Sequence, residues 1–209
     1  MPDATYIRWA AERLNVPESI ATKVWSSVNS TVYKFDSYFL KIGENLGPEC
    51  ERLRWLNGRL PVPEVAAFGT VDGKDVLVTS AIPGTPVYAL GENVPVGEIV
   101  EMLALALRAF HAADVDDCPF KASIPGAVLV HGDACLPNIL FRDDRTLGGF
   151  VDLGAMGVGD VEVDLSATVW SLRYNLGPGH GLDFLRAYGL DGATERDVER
   201  LWHVYADGD

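Results

Sequence analysis

The chain changes texture once, at Ile82-Pro83-Gly84-Thr85-Pro86. A stretch this rich in proline and glycine cannot carry a strand or a helix onward, so it reads as a hinge between two lobes. Before it, strand patterns dominate. Residues 31–35 and 38–42 are aromatic and β-branched and read as a hairpin around Asp36-Ser37, and 64–69 with 75–80 read as a second pair around Asp72-Gly73. Three helices are expected here: 4–14 with Asp3 as its cap, 17–25 opened by Pro17, and 48–57, opened by Pro48 and stopped by Gly58. After the hinge, 97–113 is apolar nearly all round and predicts a buried central helix. Short strands are expected at 128–130, 139–141 and 149–153. Helices follow at 163–174, 182–188 and 195–205, the last capped by Thr194 with Asp197 three residues on. The fold class is therefore α+β and bilobal, with a small antiparallel-sheet lobe with one key helix (1–82) and a mainly helical lobe (83–209).

Charge narrows the function. With 30 Asp plus Glu against 17 Lys plus Arg, the net charge of -13 argues against a nucleic-acid partner, whose footprint would be basic. The excess is concentrated in residues 111–209, which carry 17 acids and 7 bases and should attract cations. The apolar run 102–107 is closed by Glu101 and Arg108, so no membrane span is expected. Three cysteines without a CxxC and a start lacking an apolar signal region both point to the cytoplasm.

The densest group of polar residues is His131-Gly132-Asp133, then Asn138, then Asp152, each beside a short apolar strand. Asp133 and Asn138 can be turned by one loop toward a common point, and the hairpin 139–151 returns Asp152 to them. A carboxamide and carboxylates converging this way suit a hard, oxygen-liganded cation such as magnesium. Phosphoryl transfer needs that set, together with a basic group on the nucleotide phosphates and an acceptor for the hydroxyl proton. Lys41 supplies the basic group, standing in a strand on the face opposite Leu40 and Ile42. Glu49, whose neighbours at i+4 and i+7 are Leu53 and Leu56, lies on the apolar stripe of the next helix. A carboxylate there requires a partner, and Lys41 is the nearest plausible one.

His131-Gly132-Asp133-Ala134-Cys135-Leu136-Pro137-Asn138, followed by Val151-Asp152-Leu153-Gly154, resembles the H-G-D-x-x-x-x-N and I-D-x-G pattern of the aminoglycoside phosphotransferases, bilobal relatives of protein kinases, and is similar most closely to their 3'-phosphotransferase branch. Val32-Tyr33-Lys34, the segment 55–63, Ala109-Phe110-His111, Asp117-Cys118-Pro119 and Gly157 with Asp160 and Asp164 extend the likeness over nearly the whole chain. The resemblance implies a transferase using ATP, or GTP in its place, with magnesium. Asp133 would be the catalytic base or hydroxyl-orienting group, Asn138 and Asp152 the metal ligands, and Lys41, positioned by Glu49, the contact to the α and β phosphates. Segment 26–31, with Ser27, would cover the phosphates, and the backbone at Ser80 and Ile82 would meet the adenine edge. His131 would brace the loop, Asp160 and Asp164 would buttress the site, and Asp160, Asp207 and Asp209 would face a cationic acceptor.

Only 12 positions separate Asp152 from Asp164, too few for the peptide platform of protein kinases, so a small acceptor is expected. The acidic second lobe favours an aminoglycoside. A choline-like, sugar or macrolide acceptor is the alternative within enzymes, and an inactive nucleotide-binding module the alternative outside them. The helical stretch that members of the resembled family usually carry before the catalytic loop is absent: only 121–130 joins Phe120 to His131. Oligomeric state is not encoded in any of these patterns.

Overall fold

The computed structural model describes residues 3–27, 30–90 and 94–207. They fall into two units, one of Met1–Gly58 and Val62–Ile82, the other of Arg59–Pro61 and Pro83–Asp209.

The first unit is a five-stranded sheet in the order β1-β2-β3-β5-β4. Its strands are β1 (Thr22–Ser26), β2 (Ser30–Phe35), β3 (Tyr38–Gly43), β4 (Val65–Val71) and β5 (Lys74–Ser80), all antiparallel neighbours. Helix α1 (Ala4–Leu14) covers it with Ile7, Ala10 and Ala11, against Tyr33, Phe35, Leu40, Ile42, Val76 and Val78. Gly69 in β4 leaves room for the Trp9 ring, which a Cβ there would meet at 2.8 Å. Asp3 precedes α1 without capping it through its side chain; the Tyr33 hydroxyl donates to that carboxylate instead, at 2.6 Å.

The helix expected at 17–25 does not form. Only a single 3₁₀ turn, Glu18–Ile20, precedes β1, which pairs with β2 on both sides of a register shift at Val24. Thr22, Val24 and Trp25 are β-branched or aromatic, and backbone pairing with β2 outweighs the helix signal of Pro17.

In the second unit the buried helix α3 (Val96–His111) presents Ile99, Leu103, Leu107 and Phe110 to the core, while Leu105 on its outer face is 63% exposed. Phe110 meets Phe150 edge to face at 4.8 Å. Short strands support the loops that carry chemistry: β6 (Thr85–Pro86), β8 (Ile139–Phe141) and β9 (Leu147–Phe150) form one sheet, and β7 (Val128–Val130) pairs with β10 (Gly157–Gly159). Helices α4 (Glu162–Leu176), α5 (Gly181–Tyr188) and α6 (Glu195–Ala206) complete it, α6 starting in a full Thr194/Asp197 capping box.

Sequence patterning missed the two-residue β6, which forms by pairing with β8 inside the segment read as a hinge, and β10, whose glycines carry no strand signal. Their small size is what the place requires. The short connection 121–130 lies directly on β10: Lys121 bridges to Val158, Ala122 donates to the Val158 carbonyl, and Asp160 donates to that of Ile124. A Cβ on Gly157 would sit 2.5 Å from the Lys121 carbonyl carbon, and one on Gly126 would sit 2.1 Å from backbone of Gly159. The backbone of this brief link thus leads straight into β7 and the loop beyond it.

Candidate active site

In the first unit, strand β3 and helix α2 (Gly47–Leu56) hold one ion pair. Lys41 Nζ lies 2.8 Å from Glu49 Oε2, and both side chains are largely buried. Glu49 is turned inward with Cys50, Leu53 and Leu56 because α2 buries that stripe. The approach to α2 is fixed by Asp75, which accepts from the Leu46 N–H at 2.9 Å and from the Thr70 hydroxyl at 3.0 Å. Ser27 and Ser30 close the β1–β2 connection on each other, Ser27 N–H to the Ser30 carbonyl and Ser30 N–H to Ser27 Oγ. Ser80 spends its N–H on the Glu64 carbonyl and its Oγ on the Glu64 N–H. An adenine-edge contact at Ser80 would therefore have to come from its carbonyl. Ile82 ends this unit, half-buried.

In the second unit, the loop between β7 and β8 carries Asp133 and Asn138. Asn138 Nδ2 donates to both the carbonyl and Oδ2 of Asp133, each at 3.0 Å. With the amide nitrogen so engaged, its Oδ1 is left for a cation. Asp133 Oδ1 accepts from the Tyr205 hydroxyl of α6, also at 3.0 Å. Val151 N–H donates to the Asn138 carbonyl at 3.0 Å, which ties the end of β9 to the loop immediately before Asp152. Asp152 is exposed and left-handed, with φ of 58°, a conformation that costs a non-glycine residue and is concentrated at functional sites. Gly132 serves the same junction. Its φ is +90°, and a Cβ there would come within 2.4 Å of the Ala155 carbonyl oxygen, so only glycine lets the loop approach the turn after Asp152 so closely.

Helix α4 holds this loop with three side chains on one face. Asp164 accepts from the N–H groups of His131 at 2.7 Å and Gly132 at 2.9 Å; its Oδ2 also lies 2.9 Å from His111 Nε2. Thr168 donates to the Ala134 carbonyl, and Ser171 Oγ accepts from Leu136 N–H, both at 2.9 Å. All three are fully buried, so each hydrogen bond is retained without competition from water. His131 is also buried; its Nδ1 accepts from Asp133 N–H, and its ring packs between Phe110 and Phe150. Cys135 lies beneath, with burial first and the Asp133 charge second pushing its thiol up to about 12. Burial likewise raises the Tyr205 hydroxyl, which stays a proton donor.

Three further positions were expected to face an acceptor. Asp160 accepts from the Glu162 N–H at 2.8 Å at the start of α4 and borders a 360 Å³ groove with Leu185, Leu190 and Arg200, a groove that contains neither Asp133, Asn138 nor Asp152. Asp207 pairs with His203 at 3.3 Å on α6. Asp209 lies outside the described residues. Sequence reasoning missed Tyr205, Thr168 and Ser171. For the last two a signal existed: polar residues at i, i+4 and i+7 from Asp164 mark one stripe of the helix. For Tyr205, 72 residues from Asp133, there was none.

The donor set fits magnesium. An amide oxygen and a carboxylate are hard ligands, and this ion is held by one or two such groups together with substrate phosphates.

A lysine-glutamate pair joining strand and helix in one unit, and an Asp-x4-Asn loop followed by an aspartate just past β9 in the other, define a protein-kinase-like phosphotransferase. The model of the phosphotransferase enzyme family matches residues 37–127 and 121–202, and the chain belongs to that family. It is 29% identical over 215 positions to an aminoglycoside 3'-phosphotransferase of Niallia circulans, covering 79% of this chain and 82% of that one. That alignment runs over more positions than the 209 residues of this chain while taking in only part of it, so the relative carries stretches absent here. A probable aminoglycoside 3'-phosphotransferase of Lactococcus lactis is 46% identical over 82 residues, 39% of this chain and 30% of its own. Among solved structures, an aminoglycoside phosphotransferase of Streptomyces rimosus in complex with ADP and streptomycin shares the fold at a TM-score of 0.74 and 22% identity, covering 96% of each chain.

Proposed function

We propose that this enzyme transfers the γ-phosphoryl group of ATP to a hydroxyl of an aminoglycoside. The observation that carries the reading is the Asp133 carboxylate, oriented by Asn138 and Tyr205 on a loop whose backbone is tied to α4 and to the turn of Asp152. The acceptor oxygen attacks the γ-phosphorus as the bond from that phosphorus to the β–γ bridging oxygen breaks. The hydroxyl proton passes to Asp133, and ADP departs with the bridging electrons. Asn138 Oδ1 and Asp152 would hold magnesium, which supplies neutralisation of the phosphate charge. Lys41, kept extended by Glu49, would contact the α and β phosphates. The aminoglycoside names of the relatives and the 17 acids of residues 111–209 support a polycationic acceptor.

A panel of aminoglycosides, choline-like alcohols, sugars and macrolides, incubated with γ-labelled ATP beside an Asp133→Ala control, tests this. Label is expected in an aminoglycoside, dependent on Asp133. Label only in another alcohol would replace the acceptor class, and ATP binding without transfer to any acceptor would contradict enzymatic activity of the chain as it stands.

A further inference from the structure

An aromatic ledge runs from the candidate base to solvent. Tyr205, whose hydroxyl is on Asp133 Oδ1, meets Trp170 at a centroid distance of 5.2 Å. Trp170 in turn stacks on Tyr174, four residues later on α4, at 5.0 Å with the planes 9° apart. Tyr174 is 75% exposed, and Trp170 and Tyr205 are half-buried. Core packing does not account for this arrangement, because the two outer rings turn area toward water rather than toward the apolar residues of α4. Intramolecular cation capture does not account for it either. Arg173 sits over Trp202 at 4.9 Å and pairs with Glu199, and among the described residues no arginine or lysine lies over Trp170 or Tyr174.

We infer that Tyr205, Trp170 and Tyr174 form the acceptor subsite, a ledge on which an acceptor of at least two linked amino-substituted saturated rings lies flat. This rests on the reading of the chain as an aminoglycoside kinase and deepens it. A saturated ring presents a face of polarised C–H groups and, when amino-substituted, ammonium groups at its rim. The negative face of an aromatic ring attracts both. The reacting ring is placed by Asp133 and Tyr205, and the next ring extends over Trp170 and Tyr174. A single small alcohol such as choline would reach the first position and leave the outer stack unused. The acidic surroundings draw in any cation; the ledge adds a requirement for linked rings.

Full-length protein carrying Tyr174→Ala, Tyr174→Phe or, as a control on the outer face of α3, Leu105→Ala is assayed with kanamycin and ATP. In parallel, tryptophan fluorescence is followed as kanamycin is titrated without nucleotide. Tyr174→Ala should raise the kanamycin KM and weaken the titration roughly tenfold, as loss of one aromatic face on a cation would. The KM for ATP and kcat should stay within about twofold, Tyr174→Phe should restore binding, and Leu105→Ala should change nothing. An unchanged kanamycin KM in Tyr174→Ala, or equal damage to the ATP KM and kcat, would overturn the ledge. If wild-type protein phosphorylates no aminoglycoside, the function reading fails by itself and the titration judges the ledge: saturable binding weakened by Tyr174→Ala upholds it, and absent or unweakened binding rejects it.

Discussion

At the scale of single residues, the candidate base and the thiol beneath it share one environment. Both oxygens of the Asp133 carboxylate accept hydrogen bonds, from Tyr205 and Asn138. Cys135 is buried close to that charge, and its thiolate is disfavoured by both, which lifts the thiol from 9.0 to about 12. Thiolate is the reactive form. At about pH 8, a thiol-specific reagent should therefore modify Cys135 only after unfolding, and the half-buried Cys118 should react first. The raised value also sets a sign for stability. Below the unfolded value near 9 both states keep the proton and the contribution is complete; as pH rises toward about 12 the unfolded thiol ionises first and stability is lost. Cys135→Ala should flatten the fall of Tm across that alkaline window, and an identical fall in both proteins would refute the assignment.

At the scale of elements, α4 is the part that makes the loop rigid, and its sequence shows how much could be read beforehand. The helix itself was legible from its apolar pattern, as were the β2–β3 hairpin, α2, α3 and the capped start of α6. The 3.6-residue periodicity also placed Glu49 on a buried stripe. What periodicity could not supply was β1, where pairing with β2 overrode the proline signal, and β10, whose role depends on absent side chains. Asp133, Asn138 and Asp152 were legible because they sit at fixed short spacings, whereas Tyr205 reaches Asp133 only through tertiary packing. The dependence of the loop on α4 is measurable. Asp164→Ala strips acceptors from one buried and one half-buried backbone N–H group and from His111, and should cost about 3 kcal/mol or more, seen as a lowered Tm. A Tm equal to wild type would show that the Asp164 contacts do not hold the loop.

At the scale of the whole molecule, the candidate residues of the two units are carried without the stretches that the Niallia circulans relative has in addition. The connection 121–130 lies on β10 through backbone contacts that glycines permit. No helix among the described residues is long and apolar enough to cross a membrane. Two oxygen ligands are too few for a metal that holds a fold together. EDTA should therefore abolish phosphoryl transfer, with recovery on adding magnesium, while leaving Tm unchanged; transfer that survives chelation would contradict the roles given to Asn138 and Asp152. The measurement that bears most directly on the account separates binding from chemistry at Asp133. ATP affinity and kanamycin phosphorylation are to be compared in wild type and Asp133→Ala. Nucleotide affinity should be nearly intact and turnover reduced by at least about 100-fold, as loss of a positioned proton acceptor requires; turnover equal to wild type would contradict it.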